Sequence, residues 1–177
     1  MEPASGIQRL FFAFWPDEPT RQAIHKQTRK VVRHSGGKPI TPENFHITLV
    51  FLGNMDAQNA LLARKAADSV VSEPFTLTLD RLYFWPEPRV LTLAPSQVPD
   101  VAQDLTSSLL TALRVHDLVS DVKPFEPHVT LARKASHLAV RQIHSVHWQI
   151  EDFVLVRSVT HQKGSEYTPI ARWTLMR

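Results

Sequence analysis

A tetrapeptide that occurs twice constrains this chain more than any other feature. His46-Ile47-Thr48-Leu49 returns 82 residues later as His128-Val129-Thr130-Leu131, in a chain of 177 residues. In a β-strand successive side chains point to opposite faces, so each histidine shares a face with its threonine while the aliphatic residues point the other way. Two residues along a strand span about 6–7 Å, so one phosphate-sized group can touch both polar side chains. The repeat predicts two equivalent strands that present two half-sites to one pocket.

The rest of the chain supplies strands and helices in mixed order. Leu10 to Trp15 is short, aromatic-rich and halted by Pro16, which predicts a buried first strand after a polar leader, Met1 to Gly6. Asp17 caps a helix with Pro19 in its first turn, and Ser35-Gly36-Gly37 ends it. Pro39 to Asn44 is turn-rich, the first His-x-Thr strand runs from Phe45 to Leu52, and Gly53-Asn54 stops it. Asp56 caps a second helix with an apolar stripe of Leu61, Leu62, Ala66 and Val70. Phe75 to Trp85 and Arg89 to Ala94 form a hairpin around Pro86-Glu87-Pro88. Pro99-Asp100 opens a third helix carrying Val101, Leu105, Leu109 and Leu113. Pro127 cannot donate to a ladder and so belongs at the start of the second His-x-Thr strand, which puts His128 at a cleft rim. After a polar stretch, Trp148 to Thr160 and Tyr167 to Met176 read as two last strands, joined around Lys163-Gly164-Ser165. This order predicts an α+β fold with antiparallel pairing dominant. A boundary near Glu73–Phe75 or Pro95–Pro99 gives each of two lobes one His-x-Thr.

Composition narrows the chemistry. The chain has no cysteine, which excludes disulfides, thiol catalysis and Cys-zinc sites and fits a reducing cytoplasm. A net charge of +3 suits either an ordinary surface or a face for a phosphate-bearing ligand. The longest apolar run near the N-terminus falls far short of the roughly 20 residues of a membrane span, and no signal-peptide pattern is present, so no membrane partner is expected.

A histidine pair can supply a base and an acid in one turnover, as phosphodiester cleavage requires, and two threonine hydroxyls can donate to the non-bridging oxygens. A lone His-x-Thr is ordinarily a strand histidine with satisfied hydrogen bonds; two copies in one register and context favour a shared site. Zinc is disfavoured because threonine is a poor ligand. His144 and His147, three residues apart, read as a solvated loop pair, and His25, His34, His116, His137 and His161 as surface residues.

At these residues the chain resembles the 2H phosphoesterase superfamily, and within it the bacterial RNA 2′,3′-cyclic phosphodiesterases, also called 2′-5′ RNA ligases (the LigT or ThpR type). The marks are Arg9-Leu10-Phe11-Phe12-Ala13, the first motif followed by Phe51-Leu52-Gly53, Phe75-Thr76-Leu77, Pro124-Phe125-Glu126-Pro127 leading into the second motif with Arg133, and Tyr167-Thr168-Pro169 before Arg172-Trp173. They span nearly the whole chain. The resemblance implies one bilobal α+β domain over residues 1–177, in which two pseudo-symmetric, mainly antiparallel sheets flank a central cleft with helices outside. It implies hydrolysis of a 2′,3′-cyclic phosphate at an RNA or nucleotide end to a 2′-phosphate, with 2′-5′ ligation as the reverse. His46 is then the proton donor to the leaving 3′ oxygen, His128 the proton acceptor from water, and Thr48 and Thr130 the phosphate holders. No metal or other cofactor is needed, and a cytoplasmic monomer is expected.

Three further positions can contact substrate. Strict alternation places Arg133 opposite His128 and Thr130, so it reaches the cleft only where the strand ends or bends by Ala132. Phe11 can stack on a base, with core packing as its alternative, and Tyr167 can line the rim. The competing functions are a related enzyme for another phosphoester, such as a cyclic phosphate on ADP-ribose, and a non-catalytic module that binds RNA ends.

Overall fold

A computed structural model describes residues 6–120, 123–139 and 142–177. The first five residues of the leader lie outside that range. In chain order the elements are β1 (Gln8–Phe14), α1 (Glu18–His34), β2 (Lys38–Pro39), β3 (Ile47–Met55), α2 (Ala57–Asp68), β4 (Phe75–Trp85), β5 (Val90–Ala94), α3 (Asp100–Arg114), β6 (Val129–Arg133), β7 (Gln142–Ile150), β8 (Asp152–His161) and β9 (Gly164–Thr174). A single 3-10 turn at Pro42–Asn44 precedes β3.

The fold is α+β, and every strand pair is antiparallel. The strand order is β7-β4-β5-β6-β3-β1-β8-β9, with β2 attached to β6. Four strands lie on each side of a seam between β6 and β3, and the seam has one registered pair, Ile47 with Val129. The two expected sheets are therefore continuous through that pair. Residues 75–150 supply the β4–β7 half; β1 and β3 share the other half with β8 and β9, which return to it from the C-terminal side. The cut near Glu73–Phe75 marks only the first of two crossings. The second is Glu151, the one residue between β7 and β8, so the halves converge at this end, where Phe14 packs against Phe75 and Trp148.

The helices share the face of the sheet opposite the motifs. Asp17 and Asp56 cap α1 and α2 by accepting from the backbone N–H groups of Thr20 and Asn59, as their sequence positions predict. Ile24 of α1, Ala63 of α2 and Leu105 of α3 join Leu10, Phe12 and Phe14 of β1 in one core. α1 lies behind β6 and β7, while α2 and α3 pair with each other behind β3 and β9. In α2 the buried stripe is Ala63, Ala66 and Ala67; Leu61 is exposed, and Val70 lies beyond the helix end. Small side chains at those positions let α2 approach the sheet closely.

Three other expectations change. β3 does not stop at Gly53 but continues to Met55, because Gly53 takes a φ of +74° that carries the strand past a register shift. The expected strand from Trp148 to Thr160 is broken at Glu151, and its first part belongs to β7. His144 and His147 consequently lie on an edge strand rather than in a loop, with His147 opposite Thr78 and 3.1 Å from its hydroxyl. The alternating burial of Val146, Trp148 and Ile150 against exposed His147 and Gln149 is the period-2 pattern that marks this strand.

Candidate active site

Both motifs fold with one local design. The burial pattern of Ile47-Thr48-Leu49-Val50-Phe51 is buried, intermediate, buried, buried, exposed, and Val129-Thr130-Leu131-Ala132-Arg133 repeats it position for position. The cause is a β-bulge in each strand. Ala13 and Phe12 of β1 face Thr48 and Val50, leaving Leu49 as the extra residue. Thr92 and Leu91 of β5 face Thr130 and Ala132, leaving Leu131 as the extra residue. A bulge turns the following side chain over relative to strict alternation. Arg133 therefore enters the cleft, and Phe51, three residues after Thr48, enters it from the other half.

The histidines are oriented alike. His46 Nδ1 lies 2.7 Å from the carbonyl oxygen of Asn44, and His128 Nδ1 lies 2.7 Å from that of Glu126. A carbonyl only accepts, so Nδ1 carries the proton in both neutral rings and Nε2 is the unprotonated nitrogen. His46 Nε2 lies 3.1 Å from the Thr48 hydroxyl. The 3-10 turn at Pro42–Asn44 holds the Asn44 carbonyl in place, and the Asn44 amide donates to the Ser165 carbonyl at 3.0 Å, fastening the β8–β9 hairpin beside the site.

The two environments differ. His46 stacks on Trp15 with ring centroids 5.7 Å apart and planes 12° from parallel, and its ring also meets Phe11 at 5.0 Å and Tyr167 edge-on at 5.2 Å. This burial pushes the His46 pKa from 6.5 down to about 4. The Asn44 carbonyl opposes the shift, and the charges of His128 and Arg133 add to it. Before substrate enters, His46 is accordingly neutral near pH 7.

A cleft of about 450 Å³ brings His46, Thr48, His128 and Thr130 together with Phe11, Phe51, Arg133 and Tyr167. Arg133 is exposed and makes no ion pair or hydrogen bond with the side chain of another described residue. Phe11 is only 3% exposed, so it supports the His46 ring from below, and Phe51, 68% exposed, is the aromatic face open to a ligand. Tyr167 stands edge-on to both Phe11 and His46 at the rim. Trp15, Phe51, Arg9 and Trp85 were not among the expected site residues. Phe51 is detectable in sequence as the counterpart of Arg133, both being the third residue after a motif threonine. The two carbonyl acceptors have no side-chain signature.

A family model for the 2′-5′ RNA ligase superfamily matches residues 15–162. The chain belongs to this superfamily. The RNA 2′,3′-cyclic phosphodiesterase of Escherichia coli (strain K12) is 32% identical over 174 residues, covering 97% of this chain and 98% of that one. The RNA 2′,3′-cyclic phosphodiesterase of Thermus thermophilus is 32% identical over 184 residues, with 94% and 90% covered. The crystal structure of E. coli LigT in its apo form superposes with a TM-score of 0.88 at 30% identity, covering 97% of this chain and 99% of LigT. The LigT complex with 3′-AMP matches at the same TM-score and 31% identity, over 97% of this chain and all of LigT. Among the described residues of this superfamily member, no three His, Cys, Asp or Glu side chains cluster as a metal site, and no helix is long and apolar enough to cross a membrane.

Proposed function

We propose that this protein hydrolyses 2′,3′-cyclic phosphate ends of RNA or nucleotides to 2′-phosphomonoesters, and that the same site can add a 5′-hydroxyl in place of water to form a 2′-5′ linkage. One observation carries the reading: two bulged strands present a histidine and a threonine each to a single cleft, and each histidine has Nδ1 committed to a carbonyl so that Nε2 is the nitrogen left to exchange a proton.

His128 Nε2 takes the proton of the attacking water. The phosphorus–O3′ bond breaks, and the 3′ oxygen takes the proton of His46. Thr48, Thr130 and Arg133 hold the non-bridging oxygens as charge develops on them. His46 begins neutral, and an anionic phosphate beside it favours the imidazolium, so substrate entry loads the acid with its proton. An imidazolium whose surroundings disfavour its charge is a strong donor. The protein acts as a single bilobal domain, a monomer that meets RNA ends in the cytoplasm.

Incubation with 2′,3′-cyclic AMP in EDTA tests this reading. The expected product is 2′-AMP. Turnover at the wild-type rate in both His46→Ala and His128→Ala overturns the assignment.

A further inference from the structure

The approximate two-fold symmetry of the sheet breaks where the strands outside β1 and β5 meet the cleft. Ala13 lies between Thr48 and Val154, and Thr92 lies between Thr130 and Tyr83, so Val154 and Tyr83 are counterparts. Phe11 lies between Phe51 and Val156, and Val90 lies between Arg133 and Trp85, so Val156 and Trp85 are counterparts as well. Val154 and Val156 are wholly buried in a small cluster under Trp15 and Tyr167. Tyr83 and Trp85 are instead 40% and 43% exposed. The fold does not require aromatic residues at these positions, since its own second copy builds them from valine.

The exposed pair forms a pocket of about 280 Å³, closed by Val98, Pro95 and Phe125 and opening against His128. Trp85 and Thr92 belong both to this pocket and to the cleft, and the Trp85 indole N–H donates to the Thr92 hydroxyl at 3.2 Å, which fixes that ring as the wall between them. Tyr83 stands two strands from Thr130, a separation of about 10 Å. An aromatic slot at that reach from the phosphate suits a nucleobase.

We propose that this pocket binds the base of the nucleoside that supplies the 5′-hydroxyl in ligation. This assignment rests on His128 being the base in the proposed reaction. Attacking and leaving oxygens lie roughly in line across phosphorus, so the 3′ oxygen of the cyclic-phosphate nucleotide leaves on the His46 side, while that nucleotide stays bonded to phosphorus through its 2′ oxygen. The attacking strand approaches from the His128 side, where this pocket opens. Its 5′ oxygen bonds to phosphorus and gives its proton to His128 Nε2. The phosphorus–O3′ bond breaks, and the 3′ oxygen takes the proton of His46. Water in the same position needs no base pocket, so the pocket distinguishes ligation from hydrolysis.

The test uses the full chain with one RNA ending in a 2′,3′-cyclic phosphate and a second bearing a 5′-hydroxyl, and measures 2′-5′-joined and hydrolysed products together. Tyr83→Ala and Val98→Asp alter the pocket outside the cleft by independent means. Each is expected to lower the ratio of joined to hydrolysed product by about 5- to 100-fold, as loss of base stacking does, while hydrolysis stays within about twofold of wild type. An unchanged ratio overturns the proposal, and so does wild-type hydrolysis without any joining. Hydrolysis falling in step with ligation also overturns it, because the pocket then holds the cyclic-phosphate nucleotide. Wild-type protein that does not hydrolyse the cyclic end refutes the underlying reaction, and the pocket assignment falls with it.

Discussion

Ile47 and Val129 face each other as the one registered pair between the two four-stranded halves, and both are completely buried. Because the pairing is antiparallel, His46 lies on the side of Thr130 and Thr48 on the side of His128. Each histidine thus lies beside the threonine of the other motif as well as its own, and the seam sets the spacing of the four side chains. Ile47→Ala is expected to cost about 2–5 kcal/mol through the cavity it leaves. It should also lower kcat although Ile47 touches no substrate; denaturant unfolding and steady-state kinetics on one preparation check both.

In the proposed reaction, loss of either histidine removes a positioned proton-transfer group. His46→Ala and His128→Ala are each expected to lower kcat on 2′,3′-cyclic AMP by about 10²–10⁴-fold. The double variant should fall little below either single one, since the two act in one event. Additive losses in the double variant would argue against a shared step.

The aromatic walls of His46 should be measurable in its titration. Its ring resonances in the free protein are expected to titrate near the pKa of about 4, and inorganic phosphate should move the midpoint upward. Trp15→Ala should move it toward 6.5 without ligand, because it removes part of the burial that is the principal cause of the shift. A midpoint unmoved by phosphate would sink the proposed loading of the acid.

The same shift links pH to stability. Unfolded His46 binds a proton near 6.5 and folded His46 near 4, so between these values the unfolded chain holds more protons. Stability contributed by this residue is complete above about 6.5 and declines as the pH falls toward 4. Allowing for the ring's residual exposure, the loss is on the order of 2 kcal/mol. Comparing the pH dependence of unfolding in wild type and His46→Gln isolates it.

Among the described residues Arg133 has no side-chain partner to lose, so Arg133→Gln should leave the melting temperature nearly unchanged. KM for a cyclic nucleotide should rise about tenfold, the scale of one charge-assisted hydrogen bond to phosphate. Arg133→Lys should recover part of that, because charge is kept while the planar fork is lost. A variant with wild-type KM would remove Arg133 from the site.

The sequence by itself determined the four polar residues of the motifs, their pairing as half-sites, and the α+β class, because side-chain alternation and helix capping act over a few residues. Asp17, Asp56 and Pro99 open their helices where local chemistry places them. What tertiary structure decided depended on partners distant in the chain. Strict alternation turned Arg133 away from the cleft; the extra residue Leu131, set by pairing with β5, turned it in. The adjacent apolar pairs Leu49-Val50 and Leu131-Ala132 were the faint local trace of that bulge. The local sequence leaves Phe11 open to either base stacking or core packing, and only the approach of β8 and β9 buries it beneath His46. The lowered pKa of His46 likewise comes from Trp15 and Tyr167, 31 residues before and 121 residues after it in sequence, whose rings no local pattern could bring together.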